Sequence, residues 1–107
     1  MKALYIIANV GFAEEIVEMT RNAGAKGATI MNARGTADMN KAFFGITTSP
    51  EKEIILTLVD ADVADTIMAA VGEKAGVKTP AGAVCFCVPV EKAVGIRFSA
   101  ADEKAEQ

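Results

Sequence analysis

A chain of 107 residues is the size of one domain, and 51% hydrophobic against 23% charged content excludes an intrinsically disordered chain. The net charge of −3 and the lack of a basic cluster exclude nucleic acid as the main partner. Histidine is absent, so no side chain titrates near neutrality unperturbed, and an enzyme relying on ordinary general acid–base catalysis is not expected.

The first element is the apolar run Ala3–Val10, which reads as a strand buried on both faces. The stretch MKALYIIANVGF has no small-residue cleavage site of the secretory type, and no apolar run reaches about 18 residues, so a cytoplasmic protein is expected. Gly11 breaks the strand. Phe12 to Ala23 has helical spacing, with Phe12, Ile16, Met19 and Ala23 on one stripe. Glu14 and Glu15 in the first turn and Arg21 in the last suit the helix dipole, and Gly24 fits the position just past the helix end. Gly27 is expected to open a second strand, Ala28–Ala33.

A connection of about sixteen residues follows, Gly35–Pro50, where a two- to five-residue turn would join the flanking strands. It carries Phe43 and Phe44 beside Lys41 and Gly45, either folded back on the body or held ready for a partner. Glu53–Val59 is the next strand. Asp60 or Asp62 can cap a second helix with Val63, Ile67, Ala70 and Val71 on its buried stripe, Lys74 late in it and Gly76 at its end. The loop GVKTPAG, Gly76–Gly82, leads to an apolar strand, Ala83–Val90, and Val94–Phe98 has the makings of a short fifth strand. The tail, 99–107, is polar and set apart from the domain, 1–98.

The order βαβ, long loop, βαβ predicts an α+β, ferredoxin-like βαββαβ fold: a four-stranded antiparallel sheet with two helices on one face. The other sheet face would be uncovered. Alternate residues of the strands, Ala3, Tyr5 and Ile7 among them, are apolar on both faces, which predicts a closed homo-oligomer.

In its layout, and in the stretches MKALYIIANVGFAEEIVEMT, GAKGATIMNARG, EIILTLVDADVADTIMAAV and AGAVCFCVPVEKAVGIR, the chain resembles the PII signalling proteins and their PII-like relatives over 1–98. The resemblance implies a homotrimer that is not an enzyme, requires no cofactor, and binds a small effector, usually an adenine nucleotide, in clefts between subunits. It makes 35–50 the T-loop, which docks on a regulated partner such as a membrane transporter, with Lys41, Phe43 and Phe44 as the docking residues. It makes 76–82 the B-loop. Ile7, Gly27 and Thr29 match positions that border the adenine, Gly35 the glycine at the loop base, Gly82 the last glycine of the phosphate loop, and Arg97 a late arginine that meets phosphate.

The chain also departs from the family. Ala83 and Gly95 stand where a lysine and a second arginine would meet phosphate, and Thr36, Ala37, Asp38 and Met39 replace the arginine and glutamine at the T-loop base. The only tyrosine, Tyr5, is not in the T-loop. With the donors reduced to Arg97, Lys78, Lys52 and the loop amides of Gly76–Gly82, a ligand less charged than a nucleoside triphosphate, or a different metabolite or ion, is expected.

Cys85 and Cys87 lie two apart on a strand, with Cα atoms roughly 6–7 Å apart and both thiols on one face. Core packing is the plain reading. The alternative function is a trimeric metal-binding protein in which Cys85, Cys87 and carboxylates meet between subunits.

Overall fold

The computed structural model describes residues 1–36, 42–43, 46–47 and 50–95. In chain order it contains β1 (Lys2–Asn9), α1 (Ala13–Asn22), β2 (Thr29–Arg34), β3 (Ala42–Phe43), β4 (Ile46–Thr47), β5 (Glu51–Val59), α2 (Ala61–Lys74) and β6 (Val84–Pro89). Four strands form one antiparallel sheet in the order β2-β5-β1-β6, the expected ferredoxin-like arrangement. β1 is central, pairing Ile6 with Ile55 of β5 on one side and with Cys85 of β6 on the other. That position explains its near-continuous apolar sequence: a strand with neighbours on both sides has water on neither edge.

Alternation along the strands divides the sheet. Leu4, Ile6 and Ala8 of β1 and Ile55 and Val59 of β5 point to the helices and meet Ile16 of α1 and Ile67 and Val71 of α2 in the core. Leu4, Ile6, Ile16, Ile55 and Ile67 have no exposed surface, so each contributes on the order of 1.5–3 kcal/mol of burial. The opposite face carries Tyr5, Ile7, Leu56, Val84, Phe86, Val88 and Met31. The rings of Tyr5 and Phe86 stack there with centroids 5.1 Å apart and planes 14° from parallel. Val84 is 59% exposed and Phe86 43%, a density of apolar side chains in water that single chains rarely leave.

Several expectations are corrected. The buried stripe of α1 runs through Ala13, Ile16 and Thr20, while Phe12, Met19 and Ala23 are only partly covered. Thr20 is tolerated because its Oγ1 donates to the Val17 carbonyl at 2.7 Å. In α2 the buried residues are Ala64, Ile67 and Val71. Asp60 occupies the N-cap position, yet its side chain makes no cap hydrogen bond. Gly27 lies outside β2, which begins at Thr29. The long connection is not without structure: Ala42–Phe43 and Ile46–Thr47 pair as a two-stranded ladder. Val94 and Gly95 lie in a bend. The rest of the expected fifth strand, Arg97 with it, falls outside the described residues, as do the tail 99–107, Lys41 and Phe44.

Candidate functional site

The first group of site residues lies between α1 and β2. Gly24 adopts φ +117°, which lets the chain turn back after the helix, and its N–H donates to the Arg21 carbonyl at 3.0 Å. The following stretch, GAKGAT, crosses the end of β5 and the start of α2 and leaves a cleft of about 420 Å³. Gly27, Thr29, Leu56, Leu58, Asp60 and Val63 are among its lining residues, so two of the predicted site residues share one concavity. Thr57 holds its wall: this buried side chain donates from Oγ1 to the Gly27 carbonyl at 2.7 Å. Thr57→Val should leave that carbonyl without its partner and lower stability by about 1–3 kcal/mol, read as a lower melting temperature, with the cleft loop as the first region to gain hydrogen exchange.

The second group lies at the loop end of the sheet. Asn9 closes β1 and is only 6% exposed. Its Nδ2 donates to the Pro80 carbonyl at 2.8 Å, its backbone N–H donates to the Ala81 carbonyl at 2.9 Å, and the Lys52 ammonium donates to its Oδ1. Lys52 is the register partner of Asn9 on β1 and of Ala33 on β2. A Cβ added at Gly35 would sit 3.0 Å from Lys52 Cε, and one added at Gly82 would sit 3.2 Å from Asn9 Nδ2. Gly82 also adopts φ +52°, and its N–H donates to the Thr79 carbonyl at 3.1 Å. Gly35 donates its N–H to the Pro50 carbonyl at 2.7 Å and so closes the base of the long connection. Ile7, two residues before Asn9, shares its face of the sheet. Gly35 and Gly82 therefore flank one Asn9–Lys52 pair, with Ile7 on the same sheet face, whereas Gly27 and Thr29 line a different space. Asn9 was not foreseen as a site residue. The available signal is that it alone is polar in the run ALYIIANV apart from the Tyr5 hydroxyl.

Cys85 and Cys87 are free thiols that pack partly against the core on the helix side. Among the described residues no third cysteine or carboxylate joins them in a metal-binding group. Burial, and then the neighbouring Cys87, push the Cys85 thiol up from its ordinary 9.0 to about 11. Because the folded value lies above the unfolded one, this thiol's contribution is complete below pH 9 and is lost as pH rises toward about 11. Melting temperatures measured from pH 8 to 11 should fall less steeply in Cys85→Val than in the parent protein.

A family model described as nitrogen regulatory protein P-II matches residues 1–100. The chain belongs to the P-II family. P-II proteins are signalling regulators, typically homotrimers that bind regulated partners. Among solved structures, a putative PII-like signaling protein from Thermus thermophilus matches with a TM-score of 0.64 at 23% identity, covering 81% of this chain and 82% of its own. At that identity the likeness speaks for the P-II fold. No curated protein matches the chain. Among the described residues no helix is long and apolar enough to cross a membrane.

Proposed function

We propose that the chain is a cytoplasmic, homotrimeric PII-like regulator that binds a small effector between subunits and controls a partner protein through the loop 35–50. The observation that carries this reading is the division of the site residues within one chain. Gly27 and Thr29 line the cleft at the β2–β5 edge, while Gly35 lies beside Lys52 and Gly82 beside Asn9 at the loop end, with Ile7 on the same sheet face as Asn9. In this reading the two groups come together across a subunit boundary, which the apolar face carrying Phe86 and Val84 forms. An adenine nucleotide is the effector class to test first. Its base suits a cleft walled by Leu56, Leu58 and Val63, and its phosphates suit Lys52, Arg97 and the amides of 76–82. The missing cations at Ala83 and Gly95 favour a nucleotide with fewer phosphates than three. The docking residues are Lys41, Phe43 and Phe44, and the partner is a transporter or a metabolic enzyme. Effector occupancy then biases the loop between partner-competent and partner-excluded states by differential affinity.

Light scattering and a thermal-shift panel with ATP, ADP, AMP and cyclic AMP test this reading together. The expected result is a trimer mass and a rise in melting temperature with one nucleotide, because a ligand at about 100 times its dissociation constant adds nearly 3 kcal/mol. A monomer that none of the four nucleotides stabilises would refute it.

A further inference from the structure

We infer that the Asn9–Lys52 pair is a polar tether that makes the base of the long connection and the 76–82 loop one mechanical unit. The inference rests on hydrogen-bond geometry within one chain and does not depend on the effector reading. Asn9 is more than nine-tenths buried, and its side chain bonds across elements rather than within β1. Nδ2 holds the Pro80 carbonyl, and Oδ1 accepts from the Lys52 ammonium. The Lys52 stem in turn runs beside Gly35, whose N–H closes the connection on the Pro50 carbonyl at 2.7 Å.

A continuous row thus crosses the sheet end from Gly35 over Lys52 and Asn9 to Pro80 and Gly82. The two glycines flank it where a Cβ would crowd the lysine stem or the carboxamide. The central bond is a charge-assisted one at a part-buried site, so its partners stay engaged more than a fully exposed pair would. If one loop moves its end of the row, the other loop loses its anchor. Gly35→Ala, which presses on Lys52, should loosen 76–82 from the far end of the row.

Amide hydrogen exchange resolved at single residues tests the tether, because each substitution is read at the far side. Lys52→Met keeps the stem and removes the ammonium. It should speed exchange at Thr79 and Gly82, whose N–H groups bond the Gly76 and Thr79 carbonyls, by about tenfold. Asn9→Leu should speed exchange at Gly35 by a similar factor. Lys52→Arg, which can still donate to Asn9, should restore protection at Thr79 and Gly82. The Ile16 amide, bonded to the Phe12 carbonyl in α1, serves as the reference for global opening. Far-side exchange that stays at the parent rate in Lys52→Met would overturn the inference. So would acceleration that extends equally to Ile16, since that is ordinary loss of stability. Should Asn9→Leu not fold, the Lys52→Met and Lys52→Arg pair decides the question alone.

Discussion

Phe86→Asp should convert the proposed homotrimer to monomers while leaving its secondary structure in place. Phe86 stands on the sheet face away from the helices, 43% exposed, stacked on Tyr5 and flanked along β6 by Val84 and Val88. Within one chain an aspartate there meets water and removes one ring–ring contact, a loss of roughly 0.5–1.5 kcal/mol beyond its area. In an assembly the same carboxylate would be buried against apolar side chains of neighbouring subunits, once in every subunit, and an unpaired buried charge costs several kcal/mol. The two costs differ enough for association to fail before folding does. Light scattering should report a threefold drop in mass with an unchanged far-UV circular dichroism spectrum. A variant that keeps the parent mass would mean that this face is not where the subunits meet.

Gly76→Ala should be the most damaging single methyl addition among the described glycines. Its Cβ would lie 2.5 Å from the Gly72 carbonyl oxygen, a backbone atom inside the last turn of α2 that cannot step aside as a side chain would. The clash must be relieved by bending the helix end or moving the 76–82 loop, and about 2–4 kcal/mol of lost stability is expected. In a domain of this size that is a fall in Tm of at least ~8 °C. Gly72→Ala gives the control. Gly72 lies inside α2, an added Cβ there meets nothing within 4 Å, and alanine is the better helix former by nearly ~1 kcal/mol. Two identical substitutions four residues apart should therefore move the melting temperature in opposite directions. Equal effects would show that the close approach of Gly76 to the helix end is not what holds the loop.

Much of this architecture can be read from the residues because burial imposes periods. The run at Ala3–Val10 stays apolar almost to its end at Asn9, as befits a strand with neighbours on both edges, and EIILTLV of β5 shows the same pressure. Helix ends are legible at Gly24 and Gly76, where the backbone geometry selects glycine. Legibility fails where a choice depends on how a side chain is partnered. Thr20 looks like a surface residue until its hydroxyl is seen to bond its own helix, which frees it to be buried in place of Met19. Asp60 looks like a cap, yet its side chain does not turn to the helix amides.

The site divides in the same way. Glycines at 27, 35 and 82 stand out by residue type and by resemblance. The grouping of two of them around Asn9 and Lys52 needs the register Asn9–Lys52 and the loop at Pro80, contacts that span 43 and 71 residues. No local pattern announces such a contact.

The strand order also dictates when the protein can fold. β1 and β2 frame the first βαβ half but are not neighbours, because β5 lies between them, and the other edge of β1 waits for β6, with Lys2 opposite Pro89. A nascent chain that has emerged only as far as Arg34 has no sheet to form. One edge of the central strand can pair once β5 has emerged at Val59, but its other edge stays open until β6 follows near the end of the domain. Such wiring makes folding wait on non-local pairings and makes the apolar first strand the segment most in need of protection during synthesis.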